Sequence, residues 1–275
     1  MEINIIIVHY NSSDTIHCLE SLALQTVKAN VILVNNASTD HSMDSIRFIA
    51  KKINLTIQII DSPINGGFAA GNNIALRWAH QNTPQAWNLL LNNDTLLPTD
   101  FLETLTDVVE ELSRTYTTPF ALSTIEYDFS KQHRRHTGKQ YMSIPTGLCF
   151  STKSILRTPY LCGACILIDP QAPLLDEGYF LYYEDTDYSK RLQEVGYMLL
   201  TTDKTQYYHK KGGSTYQKSN IVSIQMTSMW RYYKKYYPRW MYIVKVLRKI
   251  ENLLRGRIEI IHIIEQTYKQ ANAKQ

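Results

Sequence analysis

The chain reads as short apolar runs that alternate with stretches of helical period. Residues 3–8, INIIIV, form a β-branched run; polar HYNSSD follows, and then Ile16, Leu19, Leu22, Ala23 and Thr26 recur on one helical face. The same strand, polar turn and helix return at 31–34, NNASTDHS and 43–53, and again at 55–60, DSPINGGF and 69–80. A fourth unit is 87–91, NNDTLLPTD and 101–112. Four such units predict an α/β body with a Rossmann-like, mostly parallel central sheet, helices on both faces and right-handed crossovers. Ligands of such sheets sit beyond the carboxyl ends of the strands. His9-Tyr10-Asn11, Asn35-Asn36, residues 61–67 and Asn92-Asn93-Asp94 all fall there. After about residue 120 the alternation fails: 130–136 is polar and basic, while 160–169 and 197–202 read as further strands of the same body.

Length and composition narrow the class. With 275 residues, 44% hydrophobic and 20% charged, the chain has ample core for a folded domain and is neither collagen-like nor disordered. Four cysteines are too few for a disulfide scaffold, and the opening apolar run is far short of the ~18 residues of a membrane span. No stretch reads as a signal peptide, so the expected location is cytoplasmic. The net charge of +4 is unevenly placed, because residues 229–275 carry eleven Lys and Arg against three Glu and leave residues 1–228 net negative. A net-negative body argues against a broad nucleic-acid-binding face.

The tail changes character from about residue 223, where Trp230, Tyr232, Tyr233, Tyr236, Tyr237, Trp240 and Tyr242 interleave with Arg231, Lys234, Lys235, Arg239 and Lys245. Interleaved rings and cations suit an anionic membrane surface. The same composition suits terminal helices that pack their rings on the body.

Several clusters carry chemistry. Asn92-Asn93-Asp94-Thr95 ends an apolar strand; it reads as a turn cluster, or as an anchor for a hard divalent cation whose remaining ligands are phosphate oxygens and water. Tyr188, Leu192 and Val195 predict a helix that begins at residues 185–187 and ends by Gly196, with Glu184, Asp185 and Asp187 at its start. Capping and the helix dipole account for Asp187. Glu184 and Asp185 follow an aromatic stretch able to tune a carboxylate as a general base. His209 stands before Lys210, Lys211 and a Gly212-Gly213-Ser214 turn that suits phosphate. Cys162-Gly163-Ala164-Cys165 is a weak redox pair, or half a zinc site with His133 and His136. Asn65-Gly66-Gly67-Phe68 has neither the dinucleotide nor the Walker spacing, so its glycines serve a tight turn or close approach to a nucleotide.

Taken in order, IIIVHYN, VILVNNASTD, NGGFAAGNN, LLLNNDT, CGACILI, LYYEDTDYSKRLQEVGY and YYHKKGGS resemble the family 2 glycosyltransferases of the GT-A fold. Within that family the likeness is to the rhamnosyltransferase-like branch that builds bacterial surface polysaccharides, and it spans about residues 3–215. The resemblance implies a GT-A domain over 1–220, with a nucleotide-sugar half (1–115) and an acceptor-facing half (116–220), and a basic aromatic helical extension over 221–275. It further implies Asp185 as the general base and Asp94 and His209 as ligands of Mg²⁺ or Mn²⁺. His9, Tyr10, Asn11, Asn36, Asp40, Gly67, Asn92 and Asn93 would form the nucleotide-sugar pocket, and Gly163 and Glu184 would face the donor sugar and acceptor. The expected reaction is inverting transfer from a nucleoside-diphosphate sugar, dTDP-rhamnose first and a UDP-hexose or UDP-N-acetylhexosamine next. The expected acceptor is a glycan or lipid-linked glycan at the inner face of the membrane. Asn35 and Asn92 stand where many relatives carry acids. The competing readings are a catalytically weak nucleotide-binding scaffold of a glycan assembly complex and a nucleotidyltransferase, for which HYNSSD lacks the basic glycine-rich loop.

Overall fold

The computed structural model describes residues 1–28, 30–129, 133–210 and 218–273. The first half follows the alternating pattern: β1 (Ile3–His9), α1 (Asp14–Ala23), β2 (Asn30–Asn35), α2 (Ser42–Lys52), β3 (Ile57–Asp61), α3 (Gly67–Asn82) and β4 (Trp87–Leu91). β5 (Thr95–Leu96), α4 (Phe101–Thr115), β6 (Phe120–Asp128), β7 (Arg134–His136) and β8 (Lys139–Ser143) come next. They are followed by β9 (Cys149–Phe150), β10 (Arg157–Leu161), β11 (Cys165–Ile168), α5 (Glu184–Glu194) and β12 (Met198–His209). Three helices close the chain: α6 (Lys218–Tyr236), α7 (Met241–Leu254) and α8 (Ile258–Ala273).

The main sheet runs β3-β2-β1-β4-β11-β6-β12-β5, with β7 on β6, and β10-β8-β9 form a small second sheet. β3, β2, β1 and β4 are mutually parallel, as the four β-α units require. Beyond β4 the sheet is mixed, because β11 is antiparallel to both neighbours while β12 returns parallel to β6. Chain order reverses between β1 and β4, so the strand ends open a crevice there.

Period-two alternation in the buried strands feeds two cores. Ile5, Ile7, Leu89 and Leu91 pack against Cys18, Leu19, Ile46 and Phe101 of α1, α2 and α4. Ile6, Ile32, Val34 and Leu90 pack on the other face against Ala75, Leu76, Tyr188 and Leu192 of α3 and α5. The Nδ2 of buried Asn4 donates to Asn88 Oδ1 at 3.0 Å and Thr83 Oγ1 at 2.9 Å.

A third core changes the reading of the tail. Trp230, Tyr232 and Tyr233 are wholly buried with Met142, Tyr160, Tyr179, Val244 and Ile264, so these rings are interior and not offered to a bilayer. Trp230 Nε1 donates to Thr267 Oγ1 at 3.0 Å, and Tyr233 Oη donates to Ile144 O at 2.7 Å. Asp187 is also corrected. It is fully buried and accepts from Arg191 Nε at 2.8 Å, Lys235 Nζ at 2.7 Å and Tyr236 Oη at 2.9 Å, so it fastens α5 to α6 rather than capping its own helix.

Candidate functional site

The groups at the strand ends are stitched together by a chain of short contacts. The backbone N–H of Asn92, just past β4, donates to Ala164 O at 3.0 Å. Next to Ala164, the Gly163 N–H donates to Asp185 Oδ2 at 3.1 Å. At the end of β12, His209 Nε2 lies 3.0 Å from Asp94 Oδ1 and 3.4 Å from Asn92 Nδ2, and the next residue, Lys210, donates its N–H to Asp94 O at 3.0 Å. Asn92, Asp94, Gly163, Asp185 and His209, expected together, therefore share one continuous constellation. Lys210 Nζ is paired with Asp14 Oδ1 at 2.6 Å, while the Lys211 to Ser214 turn lies outside the described residues.

Backbone geometry holds the base candidate in place. Tyr182 and Tyr183 both have left-handed φ, +68° and +64°, a costly conformation for bulky residues that persists only when the surroundings fix it. Tyr183 is fixed by its hydroxyl, which donates to Gly147 O at 3.1 Å, and by its ring, 5.6 Å from that of Tyr232. The turn delivers Glu184 and Asp185 to very different surroundings. Asp185 is partly exposed and accepts from Gly163 N–H, from Thr186 N–H at 2.7 Å and from Thr186 Oγ1 at 3.2 Å. Burial raises its pKa, and those donors oppose the rise. Glu184 is buried, with Oε2 unpartnered. Burial and the adjacent Asp185 charge push its carboxyl up to about 8. Burial thus raises both carboxyls, and the Gly163 and Thr186 donors oppose the rise at Asp185.

A Cβ at Gly163 would stand 3.2 Å from Asp185 Cβ, so any larger residue there would press on the candidate base and shift it by a few tenths of an ångström. Gly67 is under tighter constraint, with φ of +81° and a Cβ position 2.0 Å from Phe180 O. Phe68 N–H donates to that same oxygen at 2.8 Å, which joins α3 to the segment before the acids. Gly67→Ala is expected to cost more than about 2 kcal/mol, read as a lower melting temperature.

The residues expected in the nucleotide pocket divide into two kinds. His9 is fully buried, with Nδ1 2.7 Å from Thr15 Oγ1 and Nε2 2.8 Å from Ser42 Oγ; burial lowers its pKa to about 4. It clamps β1 to the starts of α1 and α2, and its ring has no nitrogen left for a ligand. Asn36 is likewise committed, donating to Asn65 Oδ1 at 2.9 Å and Gly67 O at 3.2 Å and accepting from Gly66 N–H at 3.1 Å. Asp40 accepts from Ser42 N–H at 3.1 Å at the start of α2, and Asn93 donates to Thr15 Oγ1 at 2.9 Å. Tyr10 and Asn11 are partly exposed at the end of β1. Asn11 takes left-handed φ, +44°, and is locked to the next loop by accepting from Thr39 N–H at 2.8 Å. Asn35 donates to Asp61 Oδ1 at 2.8 Å, so its amide links two strand ends.

Behind His209 lies a carboxylate that sequence reasoning passed over. Glu126, in the middle of β6, is fully buried; it accepts from Tyr207 Oη at 2.9 Å and from Cys162 Sγ at 3.5 Å. His136 Nε2 lies 3.0 Å away and His209 Nδ1 3.4 Å away. Burial alone would raise the Glu126 pKa, but the two imidazoles hold it far below the ordinary carboxylate range. His136 Nδ1 accepts from Gly138 N–H at 3.0 Å, which puts the ring proton on Nε2, facing Glu126. Glu126, His136 and Cys162 have donor atoms within 4.8 Å of one another, yet with that tautomer His136 meets the carboxylate as a donor and not as a metal ligand. Cys162 and Cys165 are both free thiols.

The paired Asp94 oxygen and His209 nitrogen do suit Mg²⁺ or Mn²⁺: hard oxygen and neutral imidazole, with positions left for phosphate and water. Burial works to lower the His209 pKa, but the Asp94 and Glu126 carboxylates beside its two nitrogens raise it, so a metal would bind there by displacing a proton.

Residues 4–169 match the model of glycosyl transferase family 2. The chain belongs to that family. A search of curated proteins finds no match to the sequence. Among solved structures, this family 2 glycosyltransferase resembles the mannosyltransferase PcManGT from Pyrobaculum calidifontis in complex with GDP-Man and Mn²⁺, with TM-score 0.59 and 16% identity over 100% of this chain and 76% of that one. It also resembles S. aureus TarS 1–349 in complex with UDP, with TM-score 0.55 and 15% identity over 100% and 92%. GalNAc-T7 with UDP, GalNAc and Mn²⁺ gives TM-score 0.67 at 14% identity, over 100% of this chain and 56% of that one. At these identities the likenesses carry the GT-A fold.

The acidic pair of this glycosyltransferase gives a pH-dependent stability. The folded Glu184 pKa is raised above its unfolded value, so its contribution is fully present below about pH 4 and is lost as pH rises toward about 8. Glu184→Gln removes that loss. Its melting temperature should match the wild type near pH 4 and exceed it increasingly up to pH 8; a constant offset would show that Glu184 does not titrate in this window.

Proposed function

We propose that this family 2 glycosyltransferase transfers a sugar, with inversion, from a nucleoside-diphosphate sugar to a hydroxyl of a glycan or lipid-linked glycan at the inner face of the membrane. dTDP-rhamnose is the first donor to test, followed by UDP-hexoses and UDP-N-acetylhexosamines. The reading rests on the joined constellation in which Asp94 and His209 stand at one end and Asp185, through Gly163, at the other. Asp185 takes the proton of the acceptor hydroxyl as its oxygen bonds to the anomeric carbon and the bond to the diphosphate oxygen breaks. Asp94 and His209 would hold the metal, which supplies positive charge to the departing diphosphate. Tyr10 and Asn11 border the nucleotide, while His9, Asn36 and Asp40 brace the loops that shape its pocket.

Calorimetry of dTDP, UDP and GDP, with and without Mn²⁺, on wild type and Asp94→Ala tests the donor site. One nucleotide should bind with a metal requirement that Asp94→Ala abolishes. Absence of binding by every nucleotide to folded wild-type protein would sink the reading.

A further inference from the structure

α7 is apolar on its outer face as well as on its inner one, where Met241 and Val244 are buried. A helix on a protein surface normally turns its apolar stripe inward and its charges outward. In α7, Tyr242, Ile243, Leu247, Ile250, Leu253 and Leu254 all face out, from 37% exposed at Leu247 to 82% at Leu254. At 100° per residue these positions share one face of the helix. Lys245 and Arg248 turn inward as well. Lys245 Nζ lies 3.4 Å from Glu265 Oε2 of α8, Arg248 NH1 donates to Glu251 Oε2 at 2.8 Å, and the Lys245 and Arg248 side chains are only 16% and 17% exposed. Scattered surface leucines need no account, but a contiguous apolar face of this kind does.

We propose that α7 docks the protein on an anionic bilayer, lying flat with its outward face among the lipid headgroups. The charge around the face selects the occupant. Lys245 and Lys249 pair with Glu265, and Arg248 with Glu251, while Arg239, Arg255 and Arg257 stand exposed at the two ends of α7. A second copy docked through the same face would set these cations against each other, whereas lipid phosphates complement them. Tyr242, 63% exposed near the helix start, has the amphipathic ring that suits headgroup depth. Among the described residues no helix is long and apolar enough to cross a membrane, so α7 can lie on a bilayer but not span it. This surface deepens the reading of a transferase with a lipid-linked acceptor, and it shifts membrane contact from the buried rings of α6 to the aliphatic face of α7.

The test uses the full chain, without sugar or nucleotide, in flotation with vesicles of phosphatidylcholine alone or mixed with phosphatidylglycerol. Wild type should float with the mixed vesicles and lose most of that binding at high salt. Ile250→Glu with Leu254→Glu should partition about 100-fold more weakly at an unchanged melting temperature, since both side chains are exposed. Leu254→Glu alone gives a milder version, and Arg255→Glu with Arg257→Glu should lose the preference for anionic lipid. Failure of wild type to bind anionic vesicles overturns the proposal, as does equal binding by the Ile250 and Leu254 double variant. A lipid-free dimer by sedimentation that the double variant disperses would assign the face to a second copy instead. Flotation is independent of turnover, so a protein that floats but transfers no sugar keeps this surface and loses the transferase reading.

Discussion

Replacing Asp185 by asparagine should slow sugar transfer by about 10²–10⁴-fold while nucleoside-diphosphate affinity stays at the wild-type level. The amide keeps the shape of the carboxylate and can still accept from Gly163 N–H through its oxygen, so the turn 162–164 retains its partner. What it cannot do is take the proton of the acceptor hydroxyl. Single-turnover transfer with saturating donor and acceptor measures the loss, and calorimetry with the nucleotide confirms that the donor end is intact. Transfer at the wild-type rate would remove Asp185 from the reaction. Glu184→Gln separates the two acids: its effect falls on stability above pH 5, and transfer persists.

Glu126 is the site of the second large effect. Glu126→Ala strips the acceptor from Tyr207 Oη and leaves both His136 and His209 facing a void, and breaking a buried charge cluster in this way costs about 3–5 kcal/mol. Glu126→Gln keeps the volume and isolates the electrostatics. The carboxylate lies 3.4 Å from His209 Nδ1, and a proton held on that nitrogen would leave Nε2, which faces Asp94, able to take up a metal. Loss of such a partner weakens metal affinity by about 10–100-fold. Mn²⁺ titration followed by electron paramagnetic resonance reads this directly, with no substrate present. A lower melting temperature with unchanged Mn²⁺ affinity would reduce Glu126 to a purely structural role.

Much of this could be read from the chain because the first 115 residues are governed by local rules. Short apolar runs such as INIIIV and WNLLL, each followed by a polar turn and a stretch of helical period, read as buried parallel strands, and the polar turns after them fall at the ligand-binding edge. Those rules place Asp94, Asn11 and Asn36 at the strand ends without saying which side chains face outward; His9 and Asn36 turn inward because their loops have buried donors and acceptors to satisfy. Glu126 was harder to see. FALSTIEYD carries one acid inside a strand otherwise reading as core, a conflict that signals a buried charge but not its partners, which come from β7, β12 and the turn before β11. The tail left two readings open for a related reason: composition counts seven rings among the cations, but only packing against Met142, Tyr160 and Tyr179 decides which are interior.

The acids at the start of α5 have a consequence for how mutants of this protein should be interpreted. Within four positions, Asp185 is the proposed base, Glu184 is held neutral in the interior and Asp187 anchors Lys235 and Tyr236 of a helix far along the chain. An alanine scan scored by turnover alone would return Asp185 and Asp187 as inactive alike and suggest a catalytic pair. Scored by melting temperature as well, the same scan separates them: Asp187→Ala would fail as scaffold, and Asp185→Ala would lose turnover far out of proportion to the stability lost with its Gly163 and Thr186 contacts.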